Sequence, residues 1–199
     1  MIKPVKKLML VALLSALGSA GAMAAEQSHF EHFITRDGAT LKDGDKVFRF
    51  AGIHAPELHR IEDDARGTCK ADSRGWGQYF RWPTAEEQEN WIKALVQTGA
   101  RAQRVYVLSV QQAFDEACGR ETHILAPETA DGMPRLNEKA MRVYDNMIAE
   151  ADKQGLRLIL PFIDHWWWWG GREQLAAFYH EKPEDFYRTD SKTFKAYLD

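Results

Sequence analysis

The sequence predicts an α/β fold in which a parallel sheet is covered by helices. Three apolar segments lead there: Val47 to Ile53 (VFRFAGI), Arg101 to Leu108 (RAQRVYVL) and Leu156 to Ile163 (LRLILPFI) read as strands, the last nearly continuous in apolar character. Two amphipathic helical stretches alternate with them. Strands that are apolar on both faces, separated by helices, indicate a sheet buried on both sides.

Each element has a local reason. Asp37-Gly38 and Asp43-Gly44 are turn signals between short apolar segments, predicting a small hairpin that leads into the first strand. A long polar loop, Ala55 to Pro83, follows and carries Trp76, Tyr79, Phe80 and Trp82. Loops of that length in a compact domain are commonly functional or disordered. Thr84 and Glu87 form a capping box for the first helix, whose apolar face is Trp91, Ile92, Leu95 and Val96 and whose stop is Gly99. Asn137 caps the second helix, with Met141, Tyr144, Met147, Ile148 and Ala151 on one face and Gly155 at its end. A third helix is predicted from Thr189 or Asp190, carrying Phe194, Tyr197 and Leu198. Three parallel strands alone leave unpaired edges and half-covered helices. The expectation is therefore a partial sheet belonging to something longer, with a small complete three-layer domain as the alternative.

The N-terminus reads as an address. Lys3, Lys6 and Lys7 precede an apolar run from Leu8 to Leu17, and Ala22-Met23-Ala24 fits a small-x-small cleavage rule. Residues 1–24 are thus expected to be a signal peptide and residues 25–199 the folded part, secreted to the periplasm or outside the cell. Cleavage removes three lysines and no acid, moving the formal charge from −3 to −6. That balance argues against a general nucleic-acid binder. No run of 18 apolar residues indicates a membrane span. Composition is that of a folded chain, at 45% hydrophobic with seven tryptophans among 199 residues. Cys69 and Cys118 have no zinc-motif spacing; a bridge, worth about 4 kcal/mol in the chain-entropy model, and two free thiols are both compatible with an oxidising compartment.

In strand–helix architectures, ligand sites lie at the carboxyl ends of the strands. His54, Glu57 and His59 follow the first strand, the second carries Arg104 and Tyr106, and Asp164, His165 and Trp166 to Trp169 follow the third. The tryptophan run is the most specific feature: indole faces suit the C–H-rich face of a pyranose, or they pack a loop against the sheet. Arg104, in an apolar strand, needs acceptors and can hold a carboxylate, or it forms a structural ion pair. His54 and His165 can donate to sugar hydroxyls or be ordinary hydrogen-bonded residues, and Asp164 can accept from Arg104 or end the strand. Nothing points to a metal or cofactor. His54 and His59 miss zinc spacing, and neither a dinucleotide or phosphate loop nor a Gly-x-Ser-x-Gly elbow occurs.

Four stretches together resemble the N-terminal part of glycoside hydrolase family 5, a (β/α)8 TIM-barrel clan, in its β-mannanase-like form. They are Phe48 to His54, Gly99 to Val107 with Arg104 at the position of an active-site arginine, Leu156 to Gly171, and Phe186 to Leu198. The likeness covers residues 33–199, with departures at Ile53-His54, Asp164-His165, the Trp167–Trp169 run and the long loop. It implies the first three β/α units of a barrel. It also implies a secreted, retaining, endo-acting mannanase- or cellulase-like parent acting on β-linked polysaccharide. The family's two catalytic glutamates follow strands four and seven, so none is carried over to this chain. The resemblance implies that Arg104 steadies the nucleophile and that His165 and Trp166 contact sugar; with His54, Asp164 and Trp167, read from the residues themselves, they make up the expected substrate-binding set. The competing reading is a non-catalytic polysaccharide-binding protein built on a degenerate barrel.

Overall fold

The computed structural model describes residues 28–62, 67–72 and 79–199. The expected signal peptide, residues 1–24, and Trp76 lie outside the described residues. The chain opens with an antiparallel meander of β1 (Ile34–Asp37), β2 (Thr40–Asp43) and β3 (Lys46–Phe48). The two Asp-Gly pairs turn it: Asp37 and Asp43 end β1 and β2, and Gly38 and Gly44 follow in left-handed conformation.

The expected first core strand, Val47 to Ile53, is therefore divided. Lys46–Phe48 belongs to the meander, and only the following residues run beside the parallel sheet. They do so against β4 (Ala102–Arg104): Arg101 donates to the Ala51 carbonyl at 3.3 Å, Ala55 donates to the Arg104 carbonyl at 3.1 Å, and His54 bridges Arg104 in parallel. Gly52 permits this approach, since a Cβ there would lie 2.0 Å from the Ala102 carbonyl oxygen.

On its other side β4 pairs in parallel with β7 (Arg157–Ile159), in register Ala102↔Arg157 to Arg104↔Ile159. Hydrogen bonds from Val105 to Ile159, Leu108 to Phe162 and Val110 to Trp169 carry the contact to the carboxyl ends. Both regular strands are shorter than the sequence suggests. α1 (Ala85–Gln97) precedes β4, and between β4 and β7 lie a short hairpin of β5 (Ile124–Leu125) and β6 (Arg135–Leu136), and α2 (Glu138–Lys153). After β7 come α3 (Gly171–Ala177), a 3-10 turn at Pro183–Tyr187 and α4 (Lys192–Leu198). The hairpin and α3 were not anticipated, and the last helix starts at Lys192 because Ser191 caps it.

Both main helices form for the reasons the sequence supplies. The Thr84 hydroxyl accepts from the Glu87 amide at 3.1 Å, and the Glu87 carboxylate accepts from the Thr84 amide at 2.8 Å. Asn137 accepts from the Lys139 amide and donates to the Thr122 carbonyl. The helices share one core of Leu58, Ile92, Val105, Tyr144, Met147, Ala151 and Leu156. Buried Gln88 ties it together, donating to the carbonyls of Leu58 and Val143 while accepting from Asn146. Two expected face residues lie outside this core: Trp91 is 41% and Ile148 38% exposed.

Cys69 and Cys118 are joined. The long loop is accordingly pinned to the loop after β4, and the Ile61↔Arg81 bridge closes it on itself. The described residues form no closed barrel. The sheet is uncovered at β7, where Ile159 is 44% and Phe162 53% exposed.

Three stability measurements check this account. Gly52→Ala should lower the thermal midpoint sharply, since the clashing atom is backbone and cannot swing aside. Ile92→Ala should cost about 2–5 kcal/mol in urea titrations, through lost burial and the cavity left behind. Reduction of the disulfide, which spans 49 residues, should cost about 4 kcal/mol on the same scale.

Candidate functional site

At the carboxyl end of the parallel strands lies a cleft of about 340 Å³. His54 and Glu57 reach it from the first strand segment and Glu62 and Phe80 from the long loop. Tyr106 comes from the end of β4, Arg120 from the disulfide-pinned loop, and Trp168 and Trp169 from the turn after β7. Parallel alignment brings these separate stretches to one place.

The tryptophan segment is a turn rather than an extended strand, so its side chains do not alternate across two faces. Asp164 organises it. One carboxylate oxygen accepts from the Trp166 amide at 3.0 Å and the other from the Trp168 indole N–H at 2.8 Å, while the Asp164 carbonyl accepts from the Arg172 amide. Gly170, at φ 85°, closes the turn; a Cβ there would lie 2.4 Å from the Val110 carbonyl oxygen. Trp169 is thereby driven inward, its ring 4.5 Å from Tyr106 in an edge-to-face contact, whereas Trp166 stays 60% exposed.

Of the six residues singled out from sequence, His54 lines the cleft and Arg104 stands against it. The His54 Nδ1 is 3.0 Å from the Arg104 carbonyl oxygen, and the Arg104 Nη1 is 3.3–3.4 Å from both ring nitrogens. With Nδ1–H donating to the carbonyl, Nε2 is the imidazole's acceptor. Arg104 is exposed rather than buried in the strand, because its backbone belongs to the sheet while its side chain leaves at the rim. Asp164 acts on the cleft through Trp168. His165, Trp166 and Trp167 are outside the cleft lining; His165 instead meets the Tyr187 hydroxyl at 3.1 Å and the Arg172 side chain. The lining residues that sequence reasoning passed over as a site are Glu62, Phe80 and Arg120, while from the tryptophan run it singled out Trp166 and Trp167 and the cleft takes Trp168 and Trp169. Phe80 and the two tryptophans carried a compositional signal, but nothing in the sequence marked Glu62 or Arg120.

Behind the cleft, Arg60 is buried between two rings, its guanidinium carbon 3.4 Å from the Phe80 centroid and 4.0 Å from that of Trp169. Burial lowers its pKa to about 9, opposed first by the charge of Glu62 and then by that of Asp115. Arg120, equally buried, meets Asp72 at 3.6 Å and Asp115 at 3.5 Å. Burial also raises the pKa of Glu62, against the pull of Arg60 and a hydrogen bond from the Trp169 side chain. Tyr106 is pushed up to about 12 by desolvation and by the nearby charges of Asp164 and Glu62, so its phenol stays protonated.

A second layer contains two buried imidazoles. The His59 Nε2 lies 2.9 Å from the Tyr106 carbonyl oxygen, and its Nδ1 lies 3.0 Å from the His123 Nε2. The His123 Nδ1 accepts from the Ser109 amide at 3.1 Å. One set of tautomers satisfies all of these: His59 donates from Nε2, His123 donates from Nε2, and each Nδ1 accepts. Both rings are neutral in that arrangement. Burial accordingly lowers the pKa of His59 to about 4 and holds that of His123 well below its ordinary value.

No protein-family model and no curated protein sequence matches the chain. Solved structures do. An endo-1,4-β-mannanase from Rhizomucor miehei superposes with a TM-score of 0.60 at 14% identity, over 83% of this chain and 39% of that one. A glycoside hydrolase family 5 mannosidase from Rhizomucor miehei gives a TM-score of 0.52 at 15% identity, over 86% and 41%. At such identities the similarity establishes the fold, and the resemblance read from the sequence holds at that level. The chain shares part of the fold of these structures and spans about two fifths of their length.

The neutral imidazoles give a pH dependence of defined sign. Below about pH 6.5 the unfolded chain takes up protons that folded His59 and His123 refuse, so stability should fall on acidification from 6.5 and level off below about 4. For His59 the loss at pH 5 should be on the order of 2 kcal/mol. Urea titrations at pH 7 and 5 measure it, with NMR of the imidazole nitrogens checking that both rings remain neutral at pH 5.

Proposed function

We propose that the chain is the sugar-gripping sector of a (β/α)8 glycosidase, with residues 49–55, β4 and β7 opening its first three β/α units. One observation carries the reading: three successive strand ends deliver a histidine, a tyrosine and two tryptophans to a single cleft. Edge-to-face indole and phenol rings beside hydrogen-bonding groups suit a pyranose, which offers C–H faces and hydroxyl edges. The fold shared with proteins named as a mannanase and a mannosidase supports a β-linked polysaccharide as ligand and retaining, endo-acting hydrolysis as the activity of the whole enzyme. The lysine-led apolar N-terminus supports secretion through residues 1–24.

Retention requires two carboxyl groups about 5–5.5 Å apart, one acid/base and one nucleophile. We assign that pair to barrel sectors outside the two fifths matched here, so the chain by itself binds without cleaving. Within this sector His54 and Trp168 contact the sugar, Arg104 braces His54, and Asp164 positions Trp168. His165, Trp166 and Trp167 remain candidates for the rim beyond the cleft. A second reading, a polysaccharide-binding protein without hydrolase function, is favoured by the same cleft occurring without an assigned catalytic pair.

Affinity electrophoresis of the purified chain in mannan, xylan and cellulose gels tests both readings. Retardation is expected in mannan, reduced several-fold by Trp168→Ala through loss of an aromatic contact. No reducing ends should be released from mannan or β-glucan. Turnover would refute the assignment of the acids elsewhere, and free migration in all three gels would remove the sugar reading.

A further inference from the structure

Glu62 was not distinguished by the sequence, yet it is built into the cleft with unusual support. Its side chain lines the cleft together with Glu57, Trp168 and Trp169. Arg60, two residues earlier, is buried, and Glu62 is the foremost counter-charge acting on it. Among the described residues the buried Arg60 Nε and Nη1 have no hydrogen-bond partner, and two aromatic faces enclose the guanidinium. Burying a charge in that way is costly unless it is compensated. Here the compensating group is a half-buried carboxylate that faces the cleft and has lone pairs to spare. Glu57 lies on the same wall, its Oε1 3.4 Å from the Glu62 amide nitrogen, and adds a second negative charge.

We propose that Glu62, which lines the cleft beside Glu57 and Trp169, is the binding residue that accepts hydrogen bonds from sugar hydroxyls there. The ligand is then a neutral, hydroxyl-rich ring and not a uronate, whose carboxylate Glu62 and Glu57 repel, the cation of the same lining, Arg120, being already met by Asp72 and Asp115. The inference rests on the sugar reading of the cleft and adds the identity of its acceptor and the charge class of its ligand.

Calorimetric titration of the full chain with β-1,4-mannohexaose and with a galacturonate hexamer tests it. The wild type should bind the neutral oligosaccharide and not the acidic one. Glu62→Gln should bind mannohexaose about tenfold more weakly, a charge-assisted bond having become a neutral one. Should Glu62→Gln fail to fold because Arg60 has lost its counter-charge, the pair Arg60→Met with Glu62→Gln removes both charges and supplies the same comparison. If Trp168→Ala weakens binding while the Glu62 variants do not, the proposal is overturned and the sugar reading stands. Preference for the galacturonate hexamer also overturns it. If the wild type binds neither oligosaccharide, the sugar reading itself fails and the proposal falls with it.

Discussion

A guanidinium enclosed between two aromatic rings sets the shape of the cleft. Arg60 comes from the start of the long loop, Phe80 from its far end and Trp169 from the turn after β7, so one contact joins both ends of the loop to the third strand end. Its cost is the desolvation of a cation. Offsetting it are the faces of two rings, which attract a cation more strongly when water is excluded, and the negative charges of Glu62 and Asp115. Because the same rings form cleft walls, the arrangement that shelters Arg60 also fixes the surfaces a ligand would meet.

The surroundings restrict how far that unit can move. The disulfide holds Cys118 near the segment that carries Asp72, and Arg120 is caught between Asp72 and Asp115. Deeper still, His59 and His123 pass hydrogen bonds from the Ser109 amide to the Tyr106 carbonyl. That chain works only with neutral rings, since a protonated His59 or His123 would leave two N–H groups facing each other. A polar interior of this kind is stable only when every member finds its partner, which makes it a specific device for placing Tyr106 and Trp169.

The exposed flanks are as informative as the cleft. Ile159 and Phe162 sit on uncovered sheet, and a shallow apolar surface crosses α1 at Trp91, Ala94 and Leu95. A parallel sheet is ordinarily covered on both faces, so these are apolar surfaces that the described residues leave open. The ordered cleft at one end coexists with these open sides because its contacts run among the three strand ends rather than around a closed ring.

What could be read from the sequence and what could not divide along a physical line. Capping box, turn dipeptides and helix faces were legible because they are local: Thr84 finds Glu87 three residues on, and Asp-Gly bends the chain wherever it stands. The convergence of His54, Tyr106 and the tryptophan run was legible from topology alone, since parallel strands bring their carboxyl ends together. The choice among Trp166 to Trp169 was not, because a turn set by Asp164 and Gly170 decides which ring faces inward. Nor were Glu62 and Arg60, ordinary charges in a polar loop until a disulfide and two distant rings bury them. The sequence by itself determined the helices, the turns and the end of the sheet at which a site would form. Only the tertiary structure decided which side chains enter that site, because burial, and with it the strength of every charge in the cleft, is a property of what the rest of the chain brings alongside.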